Sequence, residues 1–262
     1  MNNGRRNFLK IAGISAFALG SGAAATLMGG APAEAAGIGS YEESSRALHA
    51  KRWAMVIDTR KFRTKADFDK VIRACHTYHN VPDIPTEQDI KWMWTDTYDH
   101  VFTDDMNEQL PKKMLQDKYL LLCNHCTNPP CVRVCPTQAT FKLENGIVAM
   151  DFHRCIGCRF CMAGCPYGAR SFNYMDPRKY LSDPVPNPKY PTRMPGVVEK
   201  CSFCVERLAV GLQPACVEAS GGAILFGDLN DPQSVVRKAL AENYSIRRKP
   251  SLGTQPGVYY LV

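Results

Sequence analysis

The sequence predicts an α+β fold in which one small unit is duplicated, enlarged by insertions and followed by an extended C-terminal tail. Three observations predict it. Eleven of the 12 cysteines fall between Cys123 and Cys216, a density that core packing does not explain. Cys135-Pro136-Thr137-Gln138-Ala139 and Cys165-Pro166-Tyr167-Gly168-Ala169 repeat as C-P-x-x-A, and Ser220-Gly221-Gly222-Ala223 reads as an eroded third copy. A strand-like segment, a helical segment and a hairpin signal occur in the same chain, so both kinds of structure are needed.

At the N-terminus, Arg5-Arg6-Asn7-Phe8-Leu9-Lys10 is a twin-arginine pattern. An uncharged, Gly- and Ala-rich stretch from Ile11 to Ala33 follows, then the small-x-small site Ala33-Glu34-Ala35. Residues 1–35 are expected to be a twin-arginine export signal, with a retained membrane anchor as the alternative. Export would place the mature chain in the periplasm. That route resembles one taken by proteins that fold, and take up cofactors, before translocation. Removing the signal deletes three basic residues and one acidic one, so the formal charge falls from +7 to +5. No basic tract with interleaved aromatics follows, so no nucleic-acid binding is expected. The charge suits a solvated surface or acidic partners.

Residues 36–227 are expected to form the main domain. Trp53-Ala54-Met55-Val56-Ile57-Asp58 has the β-branched and aromatic content of a strand. Residues 66–79 read as a helix with Phe68, Val71 and Ile72 at helical spacing, ended by Pro82 and Pro85. A cysteine-free insertion at about 80–118 carries Trp92, Trp94, Tyr98 and Phe102, with Tyr119 just beyond. These aromatics read either as local packing or as a partner-docking surface. Asn145-Gly146 between β-prone arms at 140–150 predicts a hairpin. The tail, residues 228–262, is expected to wrap the surface and to add a strand near Val258–Val262.

The cysteine motifs carry the chemistry. Cys155-Ile156-Gly157-Cys158-Arg159-Phe160-Cys161-Met162-Ala163-Gly164-Cys165-Pro166 is a C-x2-C-x2-C-x3-C-P run. Three thiolates at this spacing let a tight loop close around one iron–sulfur cubane, while the fourth cysteine points to a neighbouring one. Gly157 gives the loop backbone freedom, and Pro166 suits a first helical turn. Cys123, Cys126, Cys131 and Cys135 form a second run with a longer middle gap stiffened by Pro129-Pro130. Cys201, Cys204 and Cys216 form a third, with eleven residues between the last two. Exported proteins also use cysteine for disulfides, and zinc accepts four thiolates. Three cysteines in seven residues, repeated in tandem, suit [4Fe-4S] clusters far better than either.

These residues resemble the family of periplasmic four-cluster ferredoxin subunits that accompany molybdopterin oxidoreductases and polysulfide or nitrite reductases. The resemblance covers most of residues 50–230 and implies a bacterial-ferredoxin-like fold. It also implies four cysteine motifs, in which the middle two pair and the first pairs with the last. The first motif is broken in this chain: Lys61-Phe62-Arg63-Thr64-Lys65 stands where ligating cysteines belong, and only Cys75 matches the fourth position. The last motif has Ser220 in place of its fourth cysteine. The crossed pairing then removes all four ligands of one site. It implies three clusters on the remaining cysteines: Cys123, Cys126, Cys131 and Cys165; Cys155, Cys158, Cys161 and Cys135; Cys201, Cys204, Cys216 and Cys75. Within the family, a three-cluster exported chain with the segment Ile90-Lys91-Trp92-Met93-Trp94 is similar to the O-type subunits of sulfite-reduction-associated (Dsr-type) membrane complexes. That likeness implies two partners, an integral-membrane quinone-interacting subunit of the polysulfide-reductase type and a periplasmic multihaem cytochrome c.

Arg154, Arg159 and Lys200 adjoin ligand positions and would raise a cluster's potential if they point inward, although such side chains usually face water. His125, between two ligand positions, is not expected to ligate. No nucleotide loop or nucleophile elbow is present, and the histidines lack metal-ligand spacing. The expected role is electron transfer without substrate catalysis, in a quinone-linked complex or, alternatively, beside a molybdopterin oxidoreductase.

Overall fold

The computed structural model describes residues 44–262; the expected export signal, 1–35, lies outside the described residues. Strand β1 (Trp53–Asp58) is buried along its whole length, as its unbroken apolar run requires of a strand covered on both faces. It is an interior strand of a four-stranded sheet. β8 (Ile224–Asp228) pairs with it antiparallel, Trp53 opposite Asp228 and Ile57 opposite Ile224. β10 (Val258–Leu261) pairs with it in parallel, Met55 opposite Val258, and β9 (Ser245–Ile246) closes the edge.

The C-terminal residues therefore do more than wrap the surface. The expected strand near the terminus is β10, and it lies inside the sheet. The same segment clamps the first cysteine loop: Thr127 and Asn128 donate backbone N–H bonds to the carbonyls of Gln255 and Thr254 at 2.9 and 3.0 Å, and Gly257 donates to the Asn124 carbonyl at 2.7 Å.

Helix α1 (Lys65–Tyr78) is the helix expected at 66–79. Asp67 accepts the backbone N–H of Thr64 at 2.8 Å, which closes its first turn. Phe68, Val71 and Cys75 form its buried face. The segment at 80–118 folds onto the domain through β2 (Met93–Thr97), which pairs with β3 (Lys118–Leu122), and through the short helices α2 (Tyr98–Val101) and α3 (Lys112–Gln116). Trp92, Tyr98, Phe102 and Tyr119 are buried in the main core and only Trp94 is partly covered. Of the two readings of these aromatics, packing is the one the structure bears out.

Short elements carry the cysteine loops. Helix α4 (Pro130–Arg133) leads to the hairpin β4 (Thr140–Lys142) and β5 (Val148–Met150), turning at Asn145-Gly146 with Gly146 at φ +84°. Helix α5 (Phe160–Ala163) leads to β6 (Ser171–Phe172), paired with β7 (Val198–Glu199). α6 (Val205–Leu208) and α7 (Ala215–Ala219) follow, with α7 packed on α1, and α8 (Val235–Glu242) covers β8.

Candidate metal centre

In the C-x2-C turn that opens each motif the residue before the second cysteine is left-handed: His125 at φ +40°, Gly157 at +71° and Phe203 at +55°. At Gly157 a Cβ would lie 2.5 Å from the Gly196 carbonyl oxygen, so glycine is required by space as well as by φ. His125 and Phe203 bear the strain of that conformation and are held in it by packing. Their rings stack with centroids 3.6 Å apart, both are buried, and the Val148 N–H donates to His125 Nδ1 at 3.0 Å. The proton of this neutral ring is therefore on Nε2, and burial holds the imidazole well below its ordinary pKa.

Eight of the thiols gather in two places. Cys123, Cys126, Cys131 and Cys165 line one cavity together with Tyr167, Val148 and Arg170. Cys75, Cys201, Cys204 and Cys216 are all buried, and Cys75 lies within electrostatic reach of each of the other three. This convergence depends on α1 packing against α7. The remaining four are Cys135, Cys155, Cys158 and Cys161. Cys161 is buried near Cys155, but Cys158 is exposed. Cys135 is half-buried, its sulfur 3.7 Å from the Thr137 hydroxyl. All twelve thiols are free of disulfides.

Burial pushes the Cys126 and Cys216 thiols up to about 12, and burial is also the first cause that raises Cys75, Cys201 and Cys204. Thiols placed so far from water keep their protons unless a bound cation replaces them. The two buried donor sets thus fit a thiolate-bound metal centre and not a set of water-facing thiolates.

Two buried cations face the first of these places. The Arg170 guanidinium donates from Nη2 to Cys131 Sγ at 3.0 Å and to Thr140 Oγ1 at 2.7 Å. Lys200 Nζ donates to the Cys201 carbonyl at 2.7 Å and to the Val148 carbonyl. Of the three basic residues singled out in the sequence, Lys200 points inward while Arg154 and Arg159 are exposed. The cysteine motifs do not point to Arg170. Its signal is the repeat itself, because it directly follows the second C-P-x-x-A segment where the first has Thr140.

His79 also escapes sequence reasoning, since no motif holds it. Its Nδ1 lies 2.9 Å from the Cys75 carbonyl and 3.7 Å from Cys75 Sγ, and its Nε2 lies 2.7 Å from Glu206 Oε1. The donor atoms of His79, Cys204 and Glu206 all lie within 4.8 Å of one another. Behind them Glu199 accepts from the Trp92 indole at 2.8 Å and pairs with Arg193 at 2.7 Å. Arg193 in turn donates to the carbonyls of His79 and Asn80. The end of α1 and the third thiol group are thus held by one buried polar network.

A family model described as a 4Fe-4S dicluster domain matches residues 119–179. The Hdr-like menaquinol oxidoreductase iron-sulfur subunit 1 of Archaeoglobus fulgidus is 40% identical over 279 residues, covering 98% of this chain and 97% of that protein. The iron-sulfur cluster-binding subunit of menaquinone reductase from Nitratidesulfovibrio vulgaris is 37% identical, covering 80% of this chain and 88% of its own length. The B subunit of polysulfide reductase from Wolinella succinogenes is 42% identical over 139 residues, which is 52% of this chain and 63% of that protein.

Proposed function

The chain belongs to the family of 4Fe-4S electron-transfer subunits that includes the iron–sulfur subunits of menaquinol oxidoreductases and polysulfide reductases, and on that premise we propose that it relays electrons through three [4Fe-4S] clusters. The relay runs between a quinone-interacting membrane subunit and redox partners in a respiratory complex of sulfur metabolism. The observation that carries this reading is the grouping of the thiols. Eight cysteines lie within the matched dicluster segment, enough for two clusters. The other four, Cys75, Cys201, Cys204 and Cys216, lie outside it, and their burial within electrostatic reach of Cys75 supports a third. The proposed ligand sets are Cys123, Cys126, Cys131 and Cys165; Cys155, Cys158, Cys161 and Cys135; and Cys201, Cys204, Cys216 and Cys75.

When bound, such clusters supply one-electron redox chemistry. The protein's own residues bury the sites, hold them in order and exclude water from the first and third. The surface group is the natural port for exchange with a partner. Cys158 is exposed there, flanked by Ile156 and Phe160, which leave 67% and 59% of their surfaces open to solvent.

Length of match favours a quinone-linked complex over a molybdopterin oxidoreductase. The two relatives named for menaquinol or menaquinone chemistry align over 98% and 80% of this chain, whereas the tetrathionate and polysulfide reductase subunits align over 53% and 52%. Among the described residues no helix is long and apolar enough to cross a membrane. The twin-arginine pattern supports periplasmic export, and the resemblance supports a multihaem cytochrome c as the second partner.

Purification from detergent-solubilised membranes tests this. The chain should co-purify with an integral quinone-interacting subunit and with c-type haem absorbance. It should carry roughly twelve irons and roughly twelve acid-labile sulfides. Stoichiometric molybdenum in the complex would instead favour the second reading.

A further inference from the structure

The group of Cys123, Cys126, Cys131 and Cys165 neighbours both of the others: Cys131 lies within electrostatic reach of Cys161, and Cys123 within reach of Cys201. On one side, Cys131 packs in one core with Cys161 of the surface group. On the other, Cys123 and Cys126 share a core with Cys75, Cys201 and Cys216. Two of the domain's buried cations, Arg170 and Lys200, stand against this middle group. Arg170 stands in its wall and donates to Cys131 Sγ. Lys200 sits behind, bound to the carbonyl of Val148, which lines the same cavity.

Arg170 and Lys200 are 5% and 3% exposed. Neither pairs with a carboxylate among the described residues. A guanidinium cannot shed its proton, and a buried cation without an anion costs several kcal/mol. A cubane held by four thiolates is the anion that balances it, and reduction makes that anion more negative. A fixed cation in a water-poor site favours the reduced form, and an N–H bond to a ligating sulfur does the same.

The flanking groups share only part of this arrangement: Arg170 also reaches Cys161 of the surface group and Lys200 also bonds the Cys201 carbonyl, but the 3.0 Å bond from Arg170 goes to Cys131 of the middle group. Arg154 and Arg159 beside the surface group are exposed and screened by solvent. The third group has the Glu206 carboxylate beside Cys204, which disfavours added negative charge.

Resting on the three-cluster reading, we propose that Arg170, backed by Lys200, makes the middle site the highest-potential member of the relay, so that the first electron to arrive settles at its centre. The transfer is one electron lost at a neighbouring site and gained at the middle one, with no bond made or broken. Arg170 is then a positioning residue for charge, not a ligand.

Redox titration of the purified full-length protein, followed by electron paramagnetic resonance, tests this. In the wild type the first signal to appear on reduction should broaden as both other clusters are reduced, because only the middle site has two neighbours. R170Q keeps an N–H donor for Cys131 but loses the charge. It should lower the reduced-to-oxidised ratio of that first signal at least tenfold at a fixed poise, about 59 mV for one electron. R170K should stay near the wild-type value, and R154Q should leave it unchanged. A first signal that couples to only one neighbour overturns the proposal, whether or not any variant assembles. So does an unshifted R170Q with its clusters intact, or an equal shift in R170Q and R170K. Iron and sulfide are measured on the same samples: fewer than three clusters in the wild type means that the underlying reading has failed, whereas three clusters with unshifted potentials means that only the role of Arg170 has.

Discussion

The ammonium of Lys61 donates to the backbone carbonyl of Gly222 at 3.0 Å. Lys61 stands in the segment where the resembling family places ligating cysteines, and Gly222 lies two residues beyond Ser220, where the last motif lacks its fourth. The two departures from the family pattern are thus neighbours in space, joined by a hydrogen bond. Ser220 has its own structural work, since its hydroxyl donates to the Val217 carbonyl at 2.7 Å and accepts the Ile224 N–H at 3.0 Å.

Ser220→Ala should therefore cost about 1 kcal/mol in denaturant unfolding without changing the iron content. Ser220→Cys should also leave iron unchanged, because the three other ligands of that site are missing. A gain of four irons in Ser220→Cys would contradict the three-cluster count.

Glu199 and Arg193 are a fully buried ion pair, with 0% and 1% of their side chains exposed. Glu199→Ala strands the guanidinium and should destabilise the protein by about 3–5 kcal/mol. The double variant with Arg193→Met should recover part of that loss. Chemical denaturation of the single and double variants measures both.

His76 is mostly buried next to Cys75, and burial lowers its pKa from the ordinary value to about 4. The native state holds the ring neutral while the unfolded chain protonates it near 6.5. Stability from this group is present above the unfolded value and is lost as pH falls toward 4, by about 3 kcal/mol in all. In His76→Gln the unfolding free energy should fall less steeply between pH 6.5 and 4. An unchanged slope would remove His76 from the account.

Exposure differs sharply between the thiol groups, and chelation should report it. Cys158 is exposed while Cys75, Cys201, Cys204 and Cys216 are all buried. A hydrophilic chelator should remove iron from the surface site first, leaving about two thirds of the iron in a slower phase. Cys158→Ser should abolish the fast phase and leave the remaining iron and the fold intact.

How much of this is legible in the sequence follows from which contacts are local. β1 and α1 are local patterns, an unbroken apolar run and an apolar stripe at helical spacing, and both form where expected. The cysteine loops are also local, because the opening C-x2-C of each motif and the left-handed residue before its second cysteine are set within a few residues. The place of β10 is not. Nothing within Val258–Leu261 says that it lies between β1 and β9, since its partner β1 lies at the opposite end of the domain's sequence. The burial of Trp92 and Phe102 likewise depends on where β2 and β3 dock. Cys75 can be grouped with Cys201, Cys204 and Cys216 only through the family resemblance, because their meeting needs α1 against α7. Arg170 and His79 are hidden for the same reason: an arginine after an alanine, or a histidine at a helix end, does not by itself tell which way it turns.

The number of clusters rests most directly on Cys75, the one cysteine outside the runs. Iron and acid-labile sulfide are to be measured, with electron paramagnetic resonance spectra, in the wild type and in Cys75→Ser. The account predicts roughly twelve irons per chain in the wild type, roughly eight or an altered third cluster in the variant, and two unchanged signals from the sites within residues 119–179. Equal iron content with identical spectra in the two proteins would contradict it.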